Sequence, residues 1–382
     1  MSKFVPAARL RGLNKSQIRQ VFDRALPGSI NLGLGEPDLI TPEVIREAAV
    51  RVIKEEQNGY TNQAGLQLLR EKIAADYPQL SLTPDHVIIT AGSQEALYLA
   101  LMTLVDEGDE VLIPNPGFVA YPTIVRMAGG SPKFYRLPAA EGFSFDLEAF
   151  QRALSPRTKV VVCISPSNPT GRILSTADLK GIADTLQNSN TFVISDEIYR
   201  ELYYTPVRPP SISEFYERTI LLSGLSKSMS MTGWRLGWIC GEAAVIRSAL
   251  VLHGYVTTCA STISQKAALA AWTVEAEKSR AEIRSIFRRR RDHLINMIGH
   301  KLNLTATTPE GAFYTMMDVS HCGDSMELVE AMLEQRVITI PGSAFGSEGE
   351  GYLRVSFCAD LPQLTEGVER MEAAIKTAAI AH

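Results

Sequence analysis

The segment at residues 219–238 reads TILLSGLSKSMSMTGWRLGW. Its apolar ends predict two short buried strands, and its Gly/Ser-rich middle predicts a turn that carries Lys227. Lysine is rarely placed beside a core, and a desolvated lysine has a lowered pKa and a nucleophilic amine. Arg235, eight residues further on, is a fixed cation that suits a phosphate. A solvated loop lysine is the commoner arrangement, and the segment alone does not decide between the two.

The amine and the guanidinium together match one kind of cofactor. Pyridoxal phosphate has an aldehyde that condenses with an amine and a phosphate that pairs with a guanidinium. The segment is therefore compatible with a pyridoxal-phosphate site at Lys227 and Arg235 and equally with a solvated loop lysine, and the rest of the chain decides between them.

The composition is that of an ordinary globular protein. The chain has 382 residues, 45% of them hydrophobic, and exceeds the roughly 250–300 residues that one core supports, so we expect two domains. The net charge of −4 gives no general attraction to nucleic acid or to an anionic membrane. The five cysteines form no close pair, which argues against a disulfide scaffold or a zinc site. We find no signal-peptide pattern and no apolar run of about 20 residues, so we expect a cytoplasmic protein, and we expect no metal site.

Short apolar runs alternate with helical patterns through the middle of the chain. This alternation predicts an α/β fold with a mainly parallel central sheet and helices on both faces. Ligands of such sheets bind beyond the carboxyl ends of the strands, where Asn168, Asp196 and Lys227 follow three predicted strands, so we expect one shared site. The expected strands are 87–90, 110–113, 132–136, 159–164, 191–195, 219–223 and 236–240, and the expected helices are 118–128, 146–153, 175–187 and 242–255.

A long helical pattern at about 261–301 leads into a second α/β region. It contains the run FRRRRDHL at 287–294, which could suggest nucleic acid. On a helix of a net-acidic chain, however, the run favours a solvated or salt-bridged face. The last part is expected to hold strands at 312–317 and 352–357 and helices at 326–335 and 364–378.

Two glycine-containing segments could form anion-binding turns. GLGE at 33–36 lacks the third glycine and the strand–helix frame of a dinucleotide-binding fingerprint, so we do not interpret it as one. Gly92-Ser93-Gln94 lies between a predicted strand and helix, where free N–H groups and the helix dipole can hold an anion. The alternative is a turn in which Ser93 caps the helix without a ligand, and the segment taken alone favours that alternative.

Eight motifs follow one another over nearly the whole chain: LGLGEPD at 32–38, AGSQEAL at 91–97, PNPGFVAYP at 114–122, SNPTG at 167–171, SDEIYREL at 195–202, SGLSKSMSMTGWRLGW at 223–238, PEGAFY at 309–314 and YLRVSFC at 352–358. Together they resemble the class I/II aminotransferases, which are fold-type-I pyridoxal-phosphate enzymes. The resemblance implies a large cofactor-binding domain and a smaller α/β domain formed by both termini. The expected boundaries are 1–40 for the N-terminal arm and part of the small domain, 41–280 for the large domain, and 281–382 for the C-terminal small domain.

The resemblance gives three residues catalytic roles. Lys227 is expected to form a Schiff base with pyridoxal phosphate and to move a proton between the substrate α-carbon and the cofactor. Asp196 is expected to pair with the pyridine nitrogen and keep it protonated. Tyr199, together with Asn168, is expected to hydrogen-bond the phenolic oxygen of the cofactor. Structural roles remain open for the same residues: a helix cap for Asp196, a core tyrosine and a turn asparagine.

The resemblance also implies a cup for the cofactor phosphate. It is expected to consist of the N–H groups of Ser93 and Gln94, the Ser226 hydroxyl and Arg235. Some relatives place the phosphate-binding serine three residues before the lysine, where this chain has Gly224, so the role of Ser226 stays open.

Two aromatic residues are expected at the edges of the cofactor site. Phe118 aligns with the aromatic that stacks on the pyridine ring, although a core position remains open for it because Tyr121 is close by. Tyr60 resembles the tyrosine that reaches the cofactor phosphate of the neighbouring subunit. The resemblance thus implies a homodimer with shared active sites.

The substrate is expected to bind by its α-carboxylate. Arg354 resembles the arginine whose planar fork takes that group with two parallel hydrogen bonds, with Gly35 and Asn168 beside it. The alternative for Arg354 is a surface strand residue in an edge ion pair. Ser93 stands where aspartate-specific relatives often have a lysine, which weakens an aspartate preference and leaves neutral and aromatic amino acids open.

These features predict a pyridoxal-phosphate-dependent aminotransferase that moves the amine of an L-amino acid to a 2-oxo acid by a ping-pong mechanism. A lyase of the same fold, such as a carbon–sulfur β-lyase, shares the named residues and is the first alternative. A cofactor-sensing regulator is a remote alternative, because such regulators usually add a DNA-binding domain and the fold is expected to begin at about residue 30. The expected partners are small amino and oxo acids and a second subunit, with neither nucleic acid nor membrane.

Overall fold

The computed structural model describes residues 4, 5, 7 and 10–380, without the side chains of 378–380. The strands are β1 (Ile30–Asn31), β2 (Val87–Thr90), β3 (Glu110–Asn115), β4 (Ser131–Arg136), β5 (Thr158–Ile164), β6 (Phe192–Asp196), β7 (Thr219–Gly224), β8 (Gly237–Cys240), β9 (Tyr314–Asp318), β10 (Val337–Ile338), β11 (Ile340–Pro341) and β12 (Tyr352–Ser356). The α-helices are α1 (Gln17–Asp23), α2 (Glu43–Glu55), α3 (Gln67–Ala75), α4 (Ser93–Leu104), α5 (Ala120–Met127), α6 (Leu147–Ala153), α7 (Thr176–Leu186), α8 (Ala243–Val256), α9 (Thr262–Ala268), α10 (Val274–Met297), α11 (Ser325–Glu334) and α12 (Leu361–Ile380).

A seven-stranded sheet lies at the centre of the described part of the chain, in the order β2-β8-β7-β6-β5-β3-β4. Its neighbouring strands are parallel except at β8, which runs antiparallel to both β2 and β7. Parallel strands need crossover connections, and α5, α6 and α7 lie in the connections that follow β3, β4 and β5. The predicted α/β fold with a mainly parallel sheet is therefore confirmed.

The side chains of β5 show why helices must cover both faces of this sheet. Val160 and Val162 point to one face and join the apolar cluster that contains the leucines of α4. Val161 and Cys163 point to the other face and join a cluster with residues of α6 and α7. Since successive strand residues alternate between faces, a strand that is apolar at every position requires cover on both sides.

Strands from the N-terminal and C-terminal parts of the described chain pair with each other. Strand β1 pairs in parallel with β10, and β12 pairs with β9 and β11 in a separate antiparallel sheet. Arg290, from the arginine run of α10, is buried and makes a bidentate ion pair with Asp38 at 2.6 and 2.9 Å. The N-terminal segment is thus attached to the C-terminal elements, while the domain boundaries given above stay predictions.

Some element bounds differ from those expected. The helical pattern at 261–301 is interrupted, because Thr273 begins a new helix by accepting a hydrogen bond from the Ala276 N–H. The strand expected from Ala312 starts two residues later, since Ala312 has a φ of 56°, which extended backbone does not allow. Strands β1, β10 and β11 were not predicted, because two residues are too few to show a periodicity.

The described residues contain neither a membrane-spanning helix nor a metal cluster. No helix within the described ranges is long and apolar enough to cross a membrane. Those same residues contain no group of three or more His, Cys, Asp or Glu side chains that could hold a metal ion. All five cysteines are free thiols.

Candidate active site

A cavity of about 380 Å³ opens beyond the carboxyl ends of β5, β6 and β7. Asn168 follows β5, Asp196 ends β6 and Lys227 follows β7, so the parallel strands deliver all three to one edge of the sheet. Of the twelve predicted site residues, Tyr60 alone does not line the cavity. The eleven that do are Gly35, Ser93, Gln94, Phe118, Asn168, Asp196, Tyr199, Ser226, Lys227, Arg235 and Arg354.

Lys227 is half-buried and points into the cavity from a turn of small residues. Its Nζ donates a hydrogen bond to the Gly35 carbonyl oxygen at 2.8 Å and lies 5.7 Å from the centre of the Phe313 ring. Burial lowers the pKa of the amine. A larger share of the lysine is therefore neutral and nucleophilic than in water.

Asp196 places a buried carboxylate at the floor of the cavity. Its Oδ2 accepts a hydrogen bond from the Tyr121 hydroxyl at 2.8 Å, and its Oδ1 accepts one from the Ile198 N–H at 3.2 Å. Burial raises the pKa of the carboxyl group to about 6. The residues after Asp196 form a turn and not a helix, so the alternative of a helix cap is wrong.

Phe118 and Tyr121 have different positions around this carboxylate. The two rings meet edge to face with centres 5.5 Å apart. Phe118 lines the cavity and is half-buried, whereas Tyr121 is fully buried behind it and holds Asp196. The geometry therefore favours Phe118 as the ring that faces a ligand, and it gives Tyr121 a supporting role that we did not predict.

The start of α4 forms one end of the cavity. Gly92 is the N-cap residue of this helix, with a φ of +88°, so the alternative in which Ser93 caps the helix is wrong. Arg235 lies directly over this glycine, since a Cβ atom there would come within 2.6 Å of its Nη2. Free N–H groups at a helix N-terminus beside a guanidinium form an anion-binding site.

Ser226, which directly precedes Lys227, is the predicted phosphate-binding serine. It is buried and lines the cavity. Gly224, the alternative position, packs so closely against the neighbouring strand that a Cβ atom would lie 2.8 Å from the Leu236 carbonyl oxygen. A serine at 224 would therefore not fit, and the geometry favours Ser226.

Arg354 is a buried cation that has no acidic partner within the described part of the chain. Its guanidinium carbon lies 4.3 Å from the Tyr314 ring centre and 4.5 Å from the Phe345 ring centre. Nη1 donates to Asn168 Oδ1 at 2.8 Å and Nη2 donates to the Gly33 carbonyl oxygen at 2.5 Å. Nε has no partner among the described residues. The edge ion pair is therefore wrong, and the arginine is available to an anion in the cavity.

Tyr314 contacts both Tyr199 and Gly35, and no role was predicted for it. The Tyr199 and Tyr314 hydroxyl oxygens are 3.0 Å apart in a buried hydrogen bond. A Cβ atom at Gly35 would lie 1.5 Å from the Tyr314 hydroxyl oxygen, so only glycine allows this approach. Burial raises the pKa of both phenols, that of Tyr314 to about 12, and both keep their protons at neutral pH.

Tyr60 lies apart from the cavity of its own chain. Tyr60 is 88% exposed, and Tyr255 is 90% exposed. Exposed tyrosines of this kind suit a subunit interface. A role for Tyr60 in a second subunit therefore stays a prediction.

Helix α1 brings a further cation to the cavity that we did not predict. Ile18 and Phe22, one helical turn apart, line the cavity together with Arg19. The apolar pair could have indicated that this face of the helix packs inward. The sequence holds no signal, however, for which element the face packs against.

The chain is similar to a known protein family and to characterised structures within it. The family model "Aminotransferase class I and II" matches residues 27–371. The "Probable aspartate aminotransferase" of Methanocaldococcus jannaschii is 38% identical over 92% of this chain and 94% of its own, and the "Aromatic-amino-acid aminotransferase 2" of Thermococcus litoralis is 35% identical over 96% and 97%. The structure of aspartate aminotransferase from Thermus thermophilus with maleate superposes with a TM-score of 0.93 at 34% identity and covers 97% of this chain and 100% of its own. The chain therefore belongs to the class I and II aminotransferases.

Proposed function

We propose that this aminotransferase uses pyridoxal phosphate bound to Lys227 and works by a ping-pong mechanism in a cytoplasmic homodimer. Transfer of an amino group between amino acids and 2-oxo acids is the activity of its family. The observation that carries the proposal is one cavity that holds a half-buried lysine, a buried carboxylate, a helix N-terminus with an arginine, and a buried arginine. That buried arginine has no acidic partner among residues 4, 5, 7 and 10–380.

The residues present fit each polar group of pyridoxal phosphate. The Gly92 turn leaves room for an anion where any side chain would collide with Arg235, and Asp196 is a buried acceptor that has no cationic partner among the described residues. Phe118 offers a ring face in the same cavity as Asp196. The proposed contacts are Lys227 for the aldehyde, Asp196 for the pyridine nitrogen, Asn168 and Tyr199 for the phenolic oxygen, and Ser93, Gln94, Ser226 and Arg235 for the phosphate.

The side chains then divide the work. When bound, pyridoxal phosphate supplies an electron-accepting ring that stabilises negative charge on the substrate α-carbon. Lys227 Nζ takes the proton from that carbon, and its lowered pKa suits a base. Arg354 binds the α-carboxylate and fixes the direction of the Cα–H bond. Asp196 holds a positive charge on the ring nitrogen.

A single-turnover experiment tests the reaction type. Mixing the holoenzyme with an amino acid, without an oxo acid, is expected to release about one oxo acid per site and to convert the cofactor to its amine form. A carbon–sulfur β-lyase would instead release pyruvate and ammonia from a cysteine conjugate over many turnovers. Absence of the amine form with every amino acid tested would contradict the aminotransferase proposal.

The pH dependence of cofactor binding tests the role of Asp196. Because burial raises its pKa to about 6, the carboxyl is protonated below that pH and cannot pair with a protonated pyridine nitrogen. We therefore expect the affinity of the apoprotein for pyridoxal phosphate to fall by up to about tenfold per unit as the pH is lowered below 6. Absorbance titrations of wild type and Asp196→Asn check this.

The variant is the matched control for this titration. The cofactor phosphate also titrates near pH 6, but it does so in both proteins. Asp196→Asn keeps the shape of the side chain and the bond from Tyr121, so its affinity is expected to be lower and less dependent on pH. Parallel pH profiles in the two proteins would exclude Asp196 as the titrating partner.

The charges around the cavity favour substrates with a second carboxylate. Among the described residues that line it, the cations are Arg19, Lys227, Arg235 and Arg354, and the only acid is Asp196. Lys227, Arg235 and Arg354 have proposed counterparts in the cofactor and the α-carboxylate. No ion pair or side-chain hydrogen bond of Arg19 is found within the described ranges.

We infer that Arg19 binds the side-chain carboxylate of dicarboxylic amino acids. Ser93 provides no cation for a side-chain carboxylate, which weakened the expectation of an aspartate preference. Helix α1 supplies a cation, Arg19, from another direction. The named activity of the M. jannaschii relative and the maleate in the T. thermophilus structure agree with a dicarboxylate. Ile18 and Phe22 lie beside Arg19 and leave room for apolar side chains as well, as the name of the T. litoralis relative suggests.

Arg19→Gln is expected to lower kcat/KM for aspartate and glutamate by about tenfold. A charge-assisted hydrogen bond contributes roughly 1.5–3 kcal/mol, and the exposure of Arg19 places the effect at the lower end. Alanine and phenylalanine should react at unchanged rates, because they have no side-chain carboxylate. Steady-state kinetics with the four donors measure the split.

Arg24→Gln is the control for this variant. Arg24 follows the same helix but pairs with Glu330, away from the cavity. It should leave all four donors unaffected. An equal loss for aspartate and alanine in Arg19→Gln would show that Arg19 acts on the helix and not on the substrate.

A further inference from the structure

Tyr314 lies between the cofactor side and the substrate side of the cavity. It is 2% exposed and lines the cavity at the start of β9. Its hydroxyl contacts Tyr199 and the backbone of Gly35, whose carbonyl oxygen accepts the Lys227 hydrogen bond. Its ring covers the Arg354 guanidinium. One side chain thus contacts the groups proposed for the phenolic oxygen and for the α-carboxylate.

The sheet fixes the ring of Tyr314 over Arg354. Strands β9 and β12 are antiparallel, with Tyr314 opposite Ser356 and Met316 opposite Arg354. The ring centre lies 4.3 Å from the guanidinium carbon, and the second ring, Phe345, lies on it at 4.5 Å. Arginine between two rings keeps its planar fork in one orientation, which a bidentate carboxylate contact requires.

The hydroxyl of Tyr314 fixes the direction of the proton on Tyr199. Each phenol has one proton to donate, and the two hydroxyl oxygens share one hydrogen bond at 3.0 Å. When Tyr199 donates its proton to the phenolic oxygen of the cofactor, its own oxygen is left as the acceptor in that bond. Tyr314 must then be the donor. Both phenols stay protonated at neutral pH, since burial raises the pKa of each.

We propose that Tyr314 is a positioning residue that acts through two neighbours: its hydroxyl holds Tyr199 as a donor to the cofactor, and its ring holds Arg354 for the substrate carboxylate. This inference rests on the proposed use of pyridoxal phosphate. The two contacts use different parts of one side chain. Substitutions at 314 can therefore separate them.

The first contact has a spectroscopic consequence. A donor to the phenolic oxygen stabilises negative charge there and weakens the hold of that oxygen on the proton of the Lys227 Schiff base. Tyr199 is a stronger donor when its own oxygen accepts a bond from Tyr314, because chains of hydrogen bonds polarise one another. Loss of the Tyr314 hydroxyl should therefore raise the pKa of the Schiff base.

The test is a spectrophotometric pH titration of the holoenzyme and its Tyr314→Phe variant. Removing one hydrogen bond is expected to raise the Schiff-base pKa by about half a unit to one unit. Because phenylalanine keeps the ring on Arg354, kcat should fall while KM for the amino acid changes less than about twofold. Tyr314→Leu, which removes the ring as well, should also raise KM.

Three further variants separate positioning from a structural effect. Tyr204→Phe removes another buried phenol, which bonds the Ala312 carbonyl oxygen at 2.5 Å outside the cavity, and should leave the Schiff-base pKa unchanged. In a Tyr199→Phe background, Tyr314→Phe should add no further shift. Gly35→Ala, which keeps both phenols but displaces the Tyr314 hydroxyl, should shift the pKa in the same direction.

An unchanged pKa in Tyr314→Phe, an equal shift in Tyr204→Phe, or a full further shift in the Tyr199→Phe background would overturn the inference. If Tyr314→Phe does not fold, Gly35→Ala serves as the test. An unchanged or lowered Schiff-base pKa in Gly35→Ala would then overturn the inference. A wild type that binds no pyridoxal phosphate would reject the proposed function and this inference together, whereas a coloured wild type with an unshifted variant rejects the inference alone.

Discussion

Lys227→Ala is expected to leave a folded protein whose turnover is lower by at least about 10²–10⁴-fold. That range is the contribution of a positioned acid–base group alone, and the loss of a covalent link to the cofactor adds to it. Each tenfold change corresponds to about 1.4 kcal/mol in the barrier. Single-turnover and steady-state rates of the purified variant measure the effect.

The fold should tolerate this substitution because the lysine contributes little to packing. Its Nζ makes one hydrogen bond, to the Gly35 carbonyl oxygen, and that oxygen faces the cavity region where water can replace it. The variant should still bind pyridoxal phosphate through the phosphate cup and Asp196. The absorbance of its complex should be that of the free aldehyde, without a Schiff base to position 227.

Lys266→Ala is the matched control for Lys227→Ala. Lys266 is also a partly buried lysine, but it pairs with Glu56 and the Gln57 carbonyl oxygen outside the cavity. It should lose some stability and no activity. Turnover at ordinary rates in Lys227→Ala would exclude this lysine as the base and as the cofactor link.

The shared location of Asn168, Asp196 and Lys227 could be predicted because the parallel direction of the strands alone decides it. Parallel strands end at the same edge of a sheet, so polar residues directly after several strands must be neighbours. The prediction needed no knowledge of loops or of side-chain directions. The structure places all three residues in one cavity for this reason.

Residues that reach the cavity from distant elements could not be found in the same way. Arg19 comes from a helix near the N-terminus and Tyr314 from a separate sheet, and tertiary packing alone brings them to the central strands. Ser93 as a cap of α4 was an open alternative, but Gly92, with a φ of +88°, takes the N-cap position and Ser93 is the first residue of the helix. A difference of one residue between two good capping candidates lies below what propensities resolve.

The alternating pattern around Arg354 supports the alternative that the structure contradicts. In YLRVSF the apolar residues alternate with Arg354 and Ser356, which predicts one apolar and one polar face. A polar face usually meets water, and so an exposed ion pair was the natural alternative. Here that face is covered, both residues are almost fully buried, and the guanidinium faces the cavity instead.

Arg354→Gln is expected to lower kcat/KM for α-amino acids by about 10²–10⁴-fold. In the proposed binding mode, two charge-assisted hydrogen bonds to the carboxylate contribute roughly 1.5–3 kcal/mol each, and the variant loses both. The variant removes the bond to Asn168 Oδ1 at 2.8 Å and that to the Gly33 carbonyl oxygen, but the glutamine amide can replace one of them. Thermal melting should therefore show a folded protein.

An amine substrate without an α-carboxylate provides the internal control. Wild type should use it poorly, and Arg354→Gln should use it no worse, because the arginine has nothing to bind in that substrate. Arg172→Gln is the control variant, since Arg172 pairs with Glu310 beside the site without lining the cavity. If Arg354→Gln lost the same factor with the amine as with the amino acid, the guanidinium would be supporting the protein scaffold, and the substrate carboxylate would have to bind elsewhere.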